Sequence, residues 1–592
     1  MLVGVDAGGT FTDFVVFDGR TVRTHKVLSS RRDPAGAMAG GLAELGLPRA
    51  TIVHGTTIAT NAFLERKGAK VALLTTRGFE DLIEIGRQTR GALFDLEWEK
   101  PSPLVARSMR FGIDERIGAD GRVVRPLRMG RLRLRGAEAV AICFLHSYAN
   151  AAHEERAAKA LRGRPLSVSS RLVPEYREYE RLATTVLNAY VSPIMRRYLE
   201  ALAPRVAGEL RIMSSGGGRM SVRHAAERPV HTLLSGPAGG AVAVEALCRH
   251  LGVEKAIGLD MGGTSTDVSL YDRGVSITKE GTLGGFPIRV PILEIHTVGA
   301  GGGSIARVDA AGALRVGPES AGAEPGPACY GRGGRLPTVT DANVALGRIA
   351  PDLFFGGRMK LDVATAKRAL GSIDAEAVVE VANASMERAM RVVSVERGHD
   401  PEECRLIPFG GAGPLHACAL AERLSLKGAI VPRWPGLFSA LGMVLADEVE
   451  ERSMSALGGD PRRAFAKLGA GDRFVDARYR GQSYELRIPW GADFHAAHRR
   501  RYGYARDEEV EVVNAIVRRV RRTRKPGWEK LARGTGKPRP LRRGCYDRNS
   551  LRAGDRVDGP AVIMEDNATT FVERGWNGRV DAYGNLWLET RG

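Results

Sequence analysis

Short apolar runs alternate with glycine-rich turns along most of the 592-residue chain, and two stretches share one pattern. Leu2-Val3-Gly4-Val5 leads into DAGGTFTD at 6–13, and Phe14-Val15-Val16-Phe17 follows. Ala256-Ile257-Gly258-Leu259 leads into DMGGTSTD at 260–267, and Val268-Ser269-Leu270-Tyr271 follows. Six of the eight positions are identical. Apolar runs flanking a Gly-Gly pair predict strand, tight turn, strand and a second turn. The chain is therefore expected to be an α/β protein of two related halves, each opening with the same hairpin.

Other runs predict strand-to-helix connections. Thr51-Ile52-Val53 leads through a polar knot to a helix from about Ile58 that stops at Gly68. Leu406-Ile407-Pro408-Phe409 leads through Gly410-Gly411-Ala412-Gly413 to a helix with Pro414 in its first turn. A long helical connector is expected over 171–199, and a helical segment over 363–399. Strand-like runs at 474–479, 484–488, 561–564 and 569–572 predict a β-rich C-terminal domain. The expected organisation is a first unit over 1–165, a connector over 166–204, and a second unit over 205–445 with a Gly/Pro-rich insertion at 299–340. The C-terminal domain then occupies 446–592.

Composition narrows the class. Hydrophobic residues at 43% and charged residues at 26% exclude a disordered chain. No apolar run approaches a membrane span, and Asp6 interrupts the N-terminal apolar run too early for a signal sequence, so a cytoplasmic protein without a membrane partner is expected. The six cysteines lie far apart with no CxxC pair, which argues against a zinc ribbon or disulfide scaffold. The net charge of +19 raises the question of nucleic acid. Arginine is spread along the chain and no basic run carries interleaved aromatics, so no specific nucleic-acid partner is expected.

The repeated hairpin carries the chemistry. Gly8, Gly9, Gly262 and Gly263 allow close backbone approach, so successive N–H groups can cradle an anion. Thr10, Thr12, Thr264 and either Ser265 or Thr266 add hydroxyl donors. Asp6 and Asp260 end the first strand of each hairpin. A carboxylate beside a phosphate cradle is repelled unless a cation intervenes, so Mg²⁺, another divalent ion or a proton-transfer role is implied. A single copy would read equally well as a structural Gly-Gly turn; two copies, one opening each half, favour paired phosphate loops. Gly410, Gly411 and Gly413 before a helix fit a third loop facing a nucleoside.

Other candidates are less specific. His54, Thr56, Thr57 and Asn61 crowd one strand-to-helix turn and suit a pocket wall, although Thr56 or Thr57 also suits an N-cap and His54 a core position. Arg87 and Arg90 flank a short polar loop that suits a carboxylate or carbonyl ligand, or simply solvent. Glu294 and His296 share a strand face beside the glycines at 299–303, and Asp341 could approach them, but two ligands do not make a metal site. Cys329 has no neighbouring histidine to lower its pKa and is expected to be structural.

The motifs together resemble the hydantoinase A/5-oxoprolinase family, which includes acetone carboxylase β-type subunits, within the actin/Hsp70/sugar-kinase ATPase superfamily. The resemblance rests on VGVDAGGTFTDFV, HGTTIATNAFLERKG at 54–68, GFEDLIEIGRQTR at 78–90, LLSGPAGG at 233–240, IGLDMGGTSTDV, TVGAGGGSIA at 297–306, GPESAGAEPGPACYG at 317–331, TVTDANVALGR at 338–348, and RYRGQSYEL at 478–486 with YGY at 502–504. It implies two duplicated actin/Hsp70-like, ribonuclease H-like lobes around an ATP cleft. It implies phosphorylation of a cyclic amide or imide carbonyl, as in hydantoin or 5-oxoproline, with ring opening by water and a B-type partner subunit. Under it, Gly8, Gly9, Thr10, Gly262, Gly263 and Thr264 cradle phosphates, and Asp6 and Asp260 hold Mg²⁺ or orient the acceptor. Asp13 and Asp267 position the hairpins, while His54, Thr57 and Arg87 line the acceptor pocket. A ketone carboxylase subunit, a small-molecule kinase and a regulatory ATPase subunit are the alternatives. Family members carry proline soon after GRQTR, where Gly91 stands here, and are longer between residues 453 and 472.

Overall fold

A computed structural model describes residues 1–591 except 9, 10, 31, 48, 90, 92, 93 and 96. The first apolar run forms strand Leu2–Ala7, which pairs antiparallel with Phe11–Phe17 and places Asp6 opposite Asp13. Phe11–Phe17 pairs antiparallel with Val22–Leu28, and Leu2–Ala7 runs parallel to Thr51–Thr56, itself parallel to Leu210–Met213. The β-branched residues Val3, Val5, Val15 and Val16 are buried on the two faces of this sheet.

The second half repeats the arrangement. Lys255–Met261 pairs antiparallel with Thr266–Asp272, with Asp260 opposite Asp267. Thr266–Asp272 pairs antiparallel with Ile295–Val298, and Lys255–Met261 runs parallel to Arg405–Phe409, itself parallel to Ala429–Val431. In both halves the five strands lie in the order third, second, first, fourth, fifth, with the same directions. A match of eight residues thus marks a match of whole sheets.

Between Thr51–Thr56 and Leu210–Met213 the first half carries a separate five-stranded sheet around Val71–Thr76 and Ala139–Cys143. The long helix Glu178–Leu202 packs against its strand Ala139–Cys143 and against the helix Ile58–Leu64. It starts later than the apolar pattern predicts, because Pro174 and the left-handed backbone of Arg177 (φ 98°) interrupt the segment after residue 172.

The C-terminal strands form no single β-rich unit. Glu448–Ser455, Val510–Arg521, Asp472–Tyr479 and Leu486–Pro489 extend the first sheet to ten strands beyond Arg219–Ser221. Leu586–Thr590, Trp576–Val580 and Arg556–Asp558 extend the second to eight. Cys545–Asp547, Ala561–Met564 and Thr569–Val572 form a small sheet of their own. A sheet edge offers unpaired N–H and C=O groups, and the tail satisfies one edge of each. Residues 277–293 leave the second half in the same way, for Phe286, Ile288, Val290 and Ile292 share the core of Val3, Phe14, Phe63 and Leu187.

Two helices, Ser235–Leu251 and Phe438–Leu445, cross between the large sheets. Glycine allows the crossing: a Cβ at Gly442 would strike the Gly239 carbonyl, and one at Gly4 the Ala440 carbonyl. Among the described residues no helix is long and apolar enough to cross a membrane.

Candidate active site

The two hairpin turns are closed by equivalent hydrogen bonds. The Gly8 N–H donates to the Phe11 carbonyl at 3.0 Å, and the Gly262 N–H to the Ser265 carbonyl at 3.1 Å. Both turns open on one cleft between the halves, lined by Asp6, Gly8, Asp13, Asp260, Gly262, Gly263, Thr264, Ser265 and Asp267. Gly410 and Gly411 form another wall. Gly410 has φ +78°, and a Cβ there would meet the Asp260 carboxylate. Gly9 and Thr10, expected in the first cradle, lie outside the described residues. Thr12 and Gly413 are buried off the cleft, Thr12 sharing a hydrogen bond with Ser29 Oγ at 2.9 Å and Gly413 opening a buried turn.

Four aspartates on paired strands make the cleft strongly anionic. Burial, then Asp13 and Asp260, raises the Asp6 carboxyl well above the ordinary range. Burial also raises Asp13, opposed by Lys26, whose Nζ lies 2.9 Å from Asp13 Oδ1. Burial and Asp267 push Asp260 up to about 7, against a hydrogen bond from Ser439 Oγ at 2.9 Å. Asp267 rises to about 6 through burial, although Thr297 Oγ1 donates to it at 2.5 Å. Lys26 is the one cation among the described residues lining the cleft.

These carboxylates fit a divalent ion held jointly with phosphate. Among the described residues no three His, Cys, Asp or Glu side chains converge as a metal cage. Mg²⁺ at a phosphate site needs only one or two carboxylates, the rest of its shell being phosphate oxygens and water. Lys26 is paired with Asp13, and Asp6, Asp260 and Asp267 have no cation partner among the described residues. A raised carboxyl pKa stabilises the fold below the unfolded value of 3.8, and that contribution is lost as pH rises through about 6 and 7. Added Mg²⁺ is therefore expected to raise the melting temperature more at pH 8 than at pH 5.5, a difference readable by thermal denaturation with and without MgCl2. Equal shifts at both pH values would remove these carboxylates from the cation site.

Of the expected acceptor pocket, Thr57 alone lines the cleft. His54 is fully buried in strand Thr51–Thr56, its Nδ1–H donating to the Val5 carbonyl at 3.2 Å and its Nε2 accepting from the Tyr198 hydroxyl at 2.7 Å. Burial lowers its pKa to about 4, so it is a neutral, satisfied core residue. Thr56 is also buried, and its main-chain N–H donates to Ser235 Oγ at 3.1 Å. Asn61 is exposed one helical turn on and donates to Thr57 Oγ1 at 3.3 Å. Arg87 is committed to a bidentate pair with Glu180, both bonds 2.8 Å. Glu294 pairs with Arg397 at 2.9 Å, and His296, held below its ordinary pKa by burial and Arg397, lies off the cleft wall. Asp341 closes a capping box with Thr338 and accepts the Cys329 N–H at 2.7 Å, so it does not join them. Cys329 is fully buried.

Three contributions escape the motif reading. Lys26 stands on the third strand, where pairing across the turn after Phe17 sets it opposite Asp13. Ser439 comes from the crossing helix Phe438–Leu445. Residues 565–569, at the turn between Ala561–Met564 and Thr569–Val572, reach the cleft from the C-terminal tail. Lys26 has a sequence signal, an opposite charge in register across a short turn; the others depend on contacts more than 130 residues away in the chain.

Two topologically matched α/β halves meeting at a glycine- and carboxylate-lined cleft define a two-lobed α/β enzyme. The profile of the hydantoinase/oxoprolinase N-terminal region matches residues 2–164, and that of the hydantoinase/oxoprolinase family matches residues 181–452. The chain belongs to the hydantoinase/oxoprolinase family. It is 37% identical to an uncharacterized protein of Methanocaldococcus jannaschii, with 99% of each chain covered. It is 33% identical to caprolactamase subunit alpha of Pseudomonas jessenii, over 98% of this chain and 97% of that one. It is also 33% identical to 5-oxoprolinase 1 of Arabidopsis thaliana, over 99% of this chain and 56% of that one. The crystal structure of ATP-dependent caprolactamase from Pseudomonas jessenii superposes with a TM-score of 0.86 at 31% identity, covering both chains fully. Nucleotide-free acetone carboxylase superposes with a TM-score of 0.81 at 26% identity, covering 100% of this chain and 99% of that one.

Proposed function

We propose that the two halves are actin/Hsp70-like ATPase lobes and that the cleft transfers the γ-phosphoryl group of ATP to the carbonyl oxygen of a cyclic amide or imide. The observation carrying this reading is the pair of equivalent hairpins, each with a bare turn and two facing aspartates, opening on one cleft. With the Gly8 and Gly262 N–H groups closing their own turns, the Gly263 N–H and the hydroxyls of Thr264 and Ser265 suit phosphate oxygens, and Lys26 supplies a fixed positive charge among them. Mg²⁺, held by Asp6 and Asp260, would neutralise charge on the phosphoryl oxygens. Alternatively, Asp260 orients the acceptor and takes up a proton at its carboxylate, a role that its pKa of about 7 suits when no cation is bound to it.

The transfer breaks the bond from phosphorus to the β–γ bridging oxygen and forms one to the amide oxygen. The carbon, freed of amide resonance, then accepts water, the ring C–N bond opens with the nitrogen taking a proton, and a second water cleaves the resulting acyl phosphate to carboxylate and inorganic phosphate. The named relatives support this class: caprolactam and 5-oxoproline are both cyclic amides. Caprolactamase subunit alpha is named as one part of an assembly, which supports ring opening with a B-type partner subunit. The likeness to acetone carboxylase supports a second reading, in which the acceptor oxygen belongs to an enolised ketone. Both readings require substrate-stimulated ATP hydrolysis. The test is phosphate release with Mg-ATP and a panel of 5-oxoproline, hydantoin, caprolactam, and acetone with bicarbonate, with and without the co-expressed partner. Stimulation by a cyclic amide is expected. Stimulation only by ketone and bicarbonate selects the carboxylase reading, and ATP hydrolysis indifferent to every acceptor overturns both.

A further inference from the structure

We propose that residues 565–567, at the tip of the C-terminal hairpin, read the nucleoside of the bound nucleotide, with Glu565 taking the ribose hydroxyls and Asn567 the exocyclic amine of adenine. This inference rests on the cleft being the ATP site.

The tip is built into the cleft wall. The Glu565 N–H donates to the Ala568 carbonyl at 3.2 Å and closes the turn. A Cβ at Gly436 would fall on the Asn567 carbonyl, and one at Gly411 would stand 3.6 Å from it. The Gly410 N–H donates to the Pro435 carbonyl at 3.0 Å, tying the glycine loop to the segment that clamps the tip. On the other side, a Cβ at Gly356 would lie 2.7 Å from Asp566 Oδ1, so the loop at 354–357 also abuts the tip. The turn is thus wedged among three cleft elements.

Two of its polar atoms lack partners. Glu565 Oε1 and Asn567 Oδ1 are buried and have no hydrogen-bond partner among the described residues. Buried acceptors without donors are uncommon in folded proteins. Here both belong to residues that line the cleft. Burial pushes the Glu565 carboxyl up to about 7, against Arg548 and Lys26, so it is ionised at pH 8, where the titration is run. A carboxylate with two acceptor oxygens matches the two donors of a ribose diol, and a carboxamide oxygen matches an amine. Glu565 and Asp566 also repel phosphate, so the triphosphate runs the other way, past Lys26 to the glycine turns. Adenosine presents an amine where guanosine presents a carbonyl, so an acceptor at Asn567 distinguishes them.

The experiment is isothermal titration calorimetry of the full chain with ATP, 2′-deoxy-ATP, GTP and inorganic tripolyphosphate, each with Mg²⁺. Loss of a hydrogen bond to a charged group corresponds to about a tenfold change in affinity or more. The wild type is expected to bind ATP at least about tenfold more tightly than 2′-deoxy-ATP, and to favour ATP over GTP. Glu565→Gln is expected to erase most of the ribose preference and Asn567→Ala most of the base preference, with tripolyphosphate affinity unchanged in both. Variants that keep both wild-type ratios overturn the inference. So does a wild type that binds ATP without either preference, a result independent of how any variant folds. A wild type that binds neither ATP nor tripolyphosphate overturns the ATP reading itself.

Discussion

Replacing Asp260 with asparagine is expected to cut substrate-stimulated ATP hydrolysis by about 10²–10³-fold, the usual cost of removing one preorganised electrostatic group. Asparagine keeps the shape and can still accept the hydrogen bond from Ser439. It removes the charge that would hold Mg²⁺ and the carboxylate that can carry a proton. Stability should move little or upward. Burial and Asp267 already disfavour the Asp260 charge, so a neutral side chain relieves repulsion at pH 8. A variant that hydrolyses ATP at the wild-type rate under saturating substrate would refute the assigned role. A melting temperature far below that of the wild type would mark Asp260 as a residue of the fold.

Lys26→Met is expected to act on both rate and stability. The Lys26 side chain is 8% exposed and holds Asp13 at 2.9 Å. Removing one partner of a buried pair leaves the other charge uncompensated, at a cost of about 3–5 kcal/mol. The cost has a pH signature. Asp13 already titrates above its ordinary range, and without Lys26 it rises further. Above that value the variant carries an unpaired carboxylate; as pH falls through it, Asp13 protonates and the penalty fades. Thermal melts should therefore show a large deficit at pH 8 and a small one near pH 5. Activity at pH 8 should fall with it, because Lys26 is the positive charge nearest the paired aspartates of the first hairpin. A deficit independent of pH would mean that the packing of Lys26, or the contact of its Nζ with the Phe11 ring at 5.0 Å from the centroid, matters more than its pairing with Asp13.

The hairpins were legible in the sequence because their geometry is local. A Gly-Gly turn between apolar runs sets its own register, and that register brings Asp6 to Asp13 and Asp260 to Asp267. The matching of whole sheets followed from the same signal. His54 was not legible as a core residue, because its satisfaction depends on Tyr198, 144 positions away on another element. Arg87 looked like a ligand for a carboxylate and is one, but the carboxylate belongs to Glu180 of the chain itself. The C-terminal strands were recognisable as strands, since alternation reports that one face is buried. It does not report the edge on which the strand pairs, and the tail divides between two edges.

That division bears on how the chain reaches its fold during synthesis. Strand Leu2–Ala7 belongs to a sheet whose last member to be translated is Val510–Arg521, and the sheet begun by Lys255–Met261 waits for Leu586–Thr590. Domains usually fold in order as they leave the ribosome. Here neither half can be completed in that order, because the first sheet waits for Val510–Arg521 and the second for Leu586–Thr590. Pairings this distant in sequence form slowly, since the intervening loop must close before any contact rewards it. The nascent protein therefore carries two unfinished sheets side by side from the emergence of Lys255–Met261 to that of Val510–Arg521, and its window of vulnerability to aggregation is set by the sequence separation of the paired strands as well as by the stability of either half.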